Sequence, residues 1–124
     1  MTDILYKDES FKIIGICMEI HKTLGICLKE INYKDALEIE FIDNKIPYER
    51  ERQYKVLYKN KVLGHPYLAD FIVYEAIILE IKSVTAIIDT HIAQTLSYLQ
   101  VSAAKLGIIV NFGERLLTWK RVLL

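Results

Sequence analysis

A chain of 124 residues, 52% hydrophobic and 26% charged with only two prolines, is long enough for one domain with a real core and has the composition of an ordered globular protein. Its 16 basic residues balance 16 acidic ones, which argues against a non-specific nucleic-acid binder held by bulk charge. The longest apolar runs, such as AIILEI and LGIIV, fall short of a bilayer core of about 30 Å, and MTDILYKDES is acidic and polar where a signal peptide is basic and then apolar, so a cytoplasmic protein with no membrane partner is expected.

Over 10–24, Phe11, Ile14, Cys17, Met18 and His21 or Leu24 recur at threes and fours, which predicts an amphipathic helix stopped by Gly25. A second helix is expected over 29–44, with Tyr33, Ala36, Leu37, Glu40 and Phe41 inward, closed by Asn44 and Pro47. Cys17 and Cys27 lack CxxC spacing and sit among apolar residues, so both are expected as buried, reduced thiols. Beyond Pro47 the period changes to that of strands over 49–58, 62–74 and 77–82, with turns at KNK (59–61) and YEA (74–76). Helical spacing returns over 89–103, where Ile92, Leu96, Leu99 and Ala103 face the core. LGIIVNF (106–112) reads as a buried strand, Gly113-Glu114 as a turn, and 116–123 as a last strand. No repeat, low-complexity tract or linker interrupts the chain. The order ααβββαββ describes a single α/β (α+β) domain over 1–124, with helices on a central mixed sheet.

Within the apolar stretch ADFIVYEAIILEIKSV (69–84) stand Asp70, Glu80 and Lys82. Charged side chains are rarely buried without a partner. Strand alternation sends Glu80 and Lys82 to one face. If Tyr74-Glu75-Ala76 is a three-residue loop, residues 73 and 77 pair and Asp70 lies across from Glu80; a two-residue turn would send Asp70 to the opposite face. Two adjacent carboxylates repel unless a proton or a cation lies between them. Mg²⁺ prefers hard oxygen ligands and often uses one or two carboxylates. A lysine beside them suits phosphodiester hydrolysis, since it orients water and steadies transition-state charge. A plain Glu–Lys pair on a half-exposed strand fits the same spacing.

On the helix over 89–103, His91, Gln94 and Tyr98 form a polar stripe, and Gln94 and Tyr98 stand one turn apart. Packed near Glu80, they would offer an amide and a phenol to a phosphate, a water or a base; the alternative is an ordinary amphipathic boundary. His21 and His91 have no second ligand at zinc spacing and read as structural.

The order Asp70, Glu80-Ile81-Lys82 and Gln94-xxx-Tyr98 resembles the PD-(D/E)XK nuclease superfamily, with the Q-xxx-Y element of its RecB-like branch. MEIHKTLG (18–25), LKEINYKDAL (28–37), ADFIVYEAIILEIKSV (69–84) and LGIIVNFG (106–113) are similar to the GxxExxY proteins of that superfamily, with Cys27 in place of the first glycine and Glu30 and Tyr33 matching. The resemblance implies an αβββαβ core and a site in which Asp70, Glu80 and the backbone carbonyl of Ile81 hold Mg²⁺ or Mn²⁺. Lys82 would activate or position water, Gln94 and Tyr98 would shape the site, and Glu19 is a candidate helical addition to the ligands. Glu30 is a weaker candidate of the same kind, since an acid in a first turn also serves the helix dipole.

Three functions compete. The first is a metal-dependent deoxyribonuclease, in which Arg50, Arg52, Lys55, Lys59 and Lys61, interleaved with Tyr48, Tyr54 and Tyr58, would track phosphates; Glu49 and Glu51 dilute that charge, so a solvated hairpin explains the stretch equally simply. The second is an inactive nuclease-fold module that binds nucleic acid or a protein partner. The third, an adaptor without chemistry, leaves the ordered polar elements without a cause. A homodimer is one route for so small a chain to grip a duplex, with LLTWKRVLL and Trp119 as interface candidates.

Overall fold

The computed structural model describes residues 4–124. The reading of the first ten residues as no signal peptide falls in part on residues 1–3, outside the described residues. Among the described residues no helix is long and apolar enough to cross a membrane.

Helix α1 (Lys7–Leu24) carries Asp8 and Glu9 in its first turn and His21 and Lys22 in its last, charges that suit the dipole at each end. It stops where expected: Gly25 takes a φ of 70°, and its N–H reaches the His21 carbonyl at 2.8 Å. Helix α2 (Glu30–Asp43) closes on Asn44, whose side-chain amide donates to the Glu40 carbonyl at 2.8 Å. The inward faces agree with expectation in part: Ile14 and Cys17 of α1 and Tyr33, Leu37 and Phe41 of α2 are buried as expected. Helix α1 buries Ser10, Ile13, Ile14, Cys17 and Ile20, leaving Phe11, Met18 and Leu24 exposed. Apolar residues stand on several sides of this helix, so its period admits more than one face, and packing against the sheet selects among them. In α2 the buried residues are Tyr33, Lys34, Leu37 and Phe41, and Glu40 stays half-buried.

The two strands expected over 49–58 and 62–74 divide into four: β1 (Tyr48–Tyr54), β2 (Leu57–Tyr58), β3 (Lys61–Val62) and β4 (Tyr67–Val73). Lys59 and Asn60 are both left-handed, the turn that a two-residue hairpin needs, so β2 and β3 form a small ribbon of their own. Gly64 and Pro66 then break the chain before β4; proline brings no N–H to a ladder. β5 (Ile77–Lys82) pairs antiparallel with β4, and Val73 opposes Ile77 across Tyr74-Glu75-Ala76, as the three-residue loop requires. Helix α3 (Asp89–Ser102) carries the chain over to β6 (Leu106–Asn111), parallel to β5, and β7 (Thr118–Leu123) closes the edge two residues later than expected. The sheet order is β1-β4-β5-β6-β7.

Helices α1 and α2 bury Ile13, Cys17, Tyr33, Leu37 and Phe41 against Ile77, Leu79, Ile81, Ile108 and Val110; on the other face, Leu99 of α3 meets Ile78, Ile109 and Val122. Each face therefore takes alternate residues of β5 and β6. In β4 that alternation breaks. Phe71 and Val73 face α1 and α2, whereas Tyr67 and Ala69, also odd-numbered, join the α3 side. β1 repeats the exchange, with Tyr48 on one side and Tyr54 on the other. Between them Glu51 adopts a φ of 57° at the position opposite Asp70, flanked by the pairs Arg50↔Phe71 and Arg52↔Ala69. A left-handed residue costs a non-glycine about 1–2 kcal/mol and turns the strand over locally. Asp70 sits at the crossover.

Candidate active site

The β4–β5 ladder runs through Val73↔Ile77, Ile72↔Ile78 and Phe71↔Leu79, and the next residues along are Asp70 and Glu80. Here the side chain takes over from the backbone: Asp70 Oδ2 accepts the Ile81 N–H at 2.8 Å. The carbonyl of Lys82 points toward β6, where it accepts the Phe112 N–H at 2.8 Å, so alternation turns the Ile81 carbonyl toward β4 and the Asp70 end of the gap.

Glu80 is buried at 6% exposure, next along its strand from the residue that opposes Phe71, and close enough to Asp70 to feel its charge. Burial, and then the negative charge of Asp70, push it up to about 8; a hydrogen bond donated by Tyr67 and the charge of Lys82 pull the other way. The Tyr67 hydroxyl is itself raised far above its ordinary value, by burial and by Glu80. Tyr67 stacks on Tyr98 of α3, ring centroids 4.1 Å apart and 9° from parallel, so Tyr98 reaches the carboxylates through Tyr67. The Tyr98 hydroxyl is raised by burial, then by Glu80 and Asp70.

Asp70 meets a cation from the other layer. Lys34 of α2, 9% exposed, places Nζ 3.2 Å from Asp70 Oδ1 and 3.2 Å from Glu51 Oε1. Burial works against its charge, but Asp70 and Glu51 outweigh it, and the ammonium is held more firmly protonated than usual. Three acids thus lie on neighbouring strands, Glu51, Asp70 and Glu80, and one lysine sits over the first two. The oxygen-rich pair at Asp70 and Glu80, beside an outward carbonyl, is the donor set that a hard divalent cation takes, and an acid held near 8 by burial and then by its neighbour is one that such a cation would relieve.

Residues 7–122 match the family model described as the PD-(D/E)XK nuclease superfamily. The chain belongs to that superfamily. Among solved structures it is similar to the crystal structure of SSO0001, with a TM-score of 0.61 and 21% identity over 95% of this chain. The match takes in 59% of the SSO0001 chain, and identity at that level speaks for the fold alone. No curated protein is similar to the chain.

In this PD-(D/E)XK domain the other sequence-predicted residues fall as follows. Lys82 is half-buried at the end of β5, close enough to act on Glu80. Gln94 is exposed on α3, one turn before Tyr98. The expected inward face of α3 is revised: Thr95 and Leu99 are buried, whereas Leu96 is exposed and Ala103 caps the helix. Gly107 of β6 explains the choice, because it lets α3 seat Thr95 and Leu99 against the sheet where a Cβ would stand 2.7 Å from Thr95.

Glu19 is exposed and lines the outer groove between α1 and α2 with Ala36, Ile39 and Glu40, away from the α2 face that presents Lys34. Among the described residues no group of three or more Asp, Glu, His or Cys side chains is placed to hold one ion. Glu30 stays in the first turn of α2, where it suits the dipole. His21 Nε2 lies 2.8 Å from the Glu114 carbonyl, and His91 Nδ1 accepts the Ile88 N–H at 3.1 Å. Both act structurally.

The basic stretch is split. Arg50 is bound to Asp35 at 2.7 Å and Glu38 at 3.1 Å, and Arg52 to Glu49 at 3.3 Å, over the ring of Tyr54. Lys55, Lys59 and Lys61 are exposed on and beside the β2–β3 ribbon. Cys17 is buried, but Cys27 is exposed at a φ of 79°, which corrects the expectation of two buried thiols: the turn between α1 and α2 runs over the surface.

Two site residues escaped the sequence reading, Lys34 and Tyr67. Lys34 had a signal, since 34, 37 and 41 share one helical face with Leu37 and Phe41. Tyr67 had none, because only the exchange of faces at Asp70 brings it to Glu80.

Proposed function

We propose that this chain is a metal-dependent nuclease that hydrolyses phosphodiester bonds of DNA, with Mg²⁺ or Mn²⁺ held by Asp70, Glu80 and the Ile81 carbonyl. The observation that carries the reading is the placing of Asp70 and Glu80 at the open end of the β4–β5 ladder, where Asp70 accepts the Ile81 N–H, with Lys82 on the same strand as Glu80. When bound, the ion supplies positive charge against the charge that builds on the phosphate. Lys82 orients the attacking water at its ammonium group and steadies the same developing charge. Tyr98, fixed by its stack on Tyr67, and Gln94, exposed one turn earlier, shape the wall against which a strand would lie.

Lys55, Lys59 and Lys61 supply the exposed charge that would follow the DNA backbone. A second copy docked through β7 would place two sites on one duplex; Trp119 there is 40% exposed, beside Phe11 at 81%. Kinship with the GxxExxY proteins belongs to the same reading and draws support from Cys27, which stands at a left-handed position that favours the glycine it replaces.

Incubation with Mn²⁺ on linear, circular and single-stranded DNA and on RNA tests the proposal. Cleavage is expected on DNA, with a loss of about 100-fold or more in Asp70→Ala, Glu80→Ala and Lys82→Ala. Mn²⁺ binding should collapse in the first two and persist in Lys82→Ala. A wild-type chain that binds metal and nucleic acid yet cleaves neither DNA nor RNA would leave a binding module instead.

A further inference from the structure

Lys34 does more than fill a gap in the charge balance. Its ammonium stands 3.2 Å from Asp70, at the carboxylate that the metal reading requires, and 3.2 Å from Glu51, which that reading does not use. Glu51 is delivered there by a left-handed backbone in the middle of β1, a conformation that a strand residue adopts only where its surroundings impose it. Helix α2 packs on the sheet through Tyr33, Leu37 and Phe41, so the lysine is fixed to a rigid element and not to a loop. An ammonium and a divalent ion beside the same carboxylate repel one another, and a buried setting screens that repulsion poorly.

We infer that Lys34 is a built-in counter-cation that competes with the divalent ion for Asp70, and that Glu51 is the seat to which it retreats when the ion binds. The inference rests on the metal-site reading above. It assigns Lys34 and Glu51 a positioning role: in the ion-free chain Lys34 balances the Asp70 and Glu51 carboxylates, and the two residues set how tightly an ion is held. A lysine serving only packing or stability would act in the opposite sense, since its loss would loosen the site and weaken ion binding.

Mn²⁺ titration by calorimetry separates these. Lys34→Met keeps the length of the side chain and removes its charge. It should bind Mn²⁺ about tenfold more tightly than wild type while melting at a lower temperature without metal. Lys34→Gln, which can still donate a hydrogen bond to the carboxylates, should show the same tightening and carries the test if the methionine variant does not fold. Lys34→Arg, with the charge kept, and Lys12→Met, which removes an exposed charge on α1, should stay close to wild type.

Unchanged or weaker binding in the two neutral Lys34 variants, with wild type still binding, overturns the inference and leaves the nuclease reading standing. Binding in the neutral variants alone supports the inference and removes the nuclease reading for the native chain. No binding in any variant overturns both.

Discussion

Tyr67 and Glu80 share a hydrogen bond in a mostly apolar interior, and the acid carries a folded-state value of about 8 against an ordinary 4.5. The sign of the consequence follows from proton counts. Between about 4.5 and 8 the folded, metal-free chain keeps a proton on Glu80 that the unfolded chain has released, so this group's contribution to stability is complete below 4.5 and is lost as pH rises toward 8. The loss is on the order of a few kcal/mol. Melting temperatures of the chelated protein should therefore fall across that window and level off above it. Glu80→Gln should flatten the slope. Tyr67→Phe should carry the fall to higher pH, because the donor that lowers the acid's value is gone. A slope unchanged in Glu80→Gln would mean that another group carries it. Saturating Mn²⁺ should abolish the dependence if the ion takes the place of the proton.

At the scale of elements, one side chain holds the end of β5 in place. Asn111 is fully buried and pairs with the backbone of Val84 in both directions: its Oδ1 accepts the Val84 N–H at 3.0 Å, and its Nδ2 donates to the Val84 carbonyl at 3.0 Å. Gly113 completes the clamp, since a Cβ there would stand 2.3 Å from the Val84 carbonyl oxygen and 2.4 Å from its nitrogen. Lys82 lies two residues before this anchor. Asn111→Ala should cost about 2–3 kcal/mol by stranding both Val84 groups, and Gly113→Ala about as much by forcing backbone apart. Denaturant midpoints read the cost, and a larger loss of cleavage than of Mn²⁺ affinity would show that Lys82 is what the clamp positions. The elements themselves were legible wherever a local rule fixes them: Gly25 and Asn44 end their helices, Lys59-Asn60 makes its turn, and the loop Tyr74-Glu75-Ala76 sets the register that brings Asp70 to Glu80. The left-handed turn at Glu51 obeys no such rule. Nothing in ERERQY distinguishes it from a regular strand, yet it exchanges the faces of β1 and β4 and so decides that Tyr67 and Lys34 reach the acids from opposite layers. The inward faces of α1 and α3 were read only in part, with Ile14, Cys17 and Leu99 buried as expected and Phe11, Met18 and Leu96 exposed, since a helix that is apolar on several sides leaves the choice of face to its partner.

For the whole molecule, a formal charge of zero means that any grip on DNA must come from a local patch. Arg50 and Arg52 are committed to Asp35, Glu38 and Glu49, which leaves Lys55, Lys59 and Lys61, exposed on the ribbon side, as the part of the predicted track outside those ion pairs. Each phosphate neutralised contributes a slope of about −0.9 to the dependence of log affinity on log salt, so these three lysines imply a slope of about −3 on duplex DNA. Replacing all three with alanine should bring the slope close to zero and weaken binding alike on every sequence, while leaving Mn²⁺ affinity and the melting temperature where they were. Arg50→Ala should do the reverse, lowering stability through the loss of its ties between β1 and α2 with little change in the salt slope. Fluorescence anisotropy with labelled duplexes between 50 and 200 mM salt, about the range over which such contacts express themselves, reads both. A slope that survives the triple replacement would move the DNA track to another face.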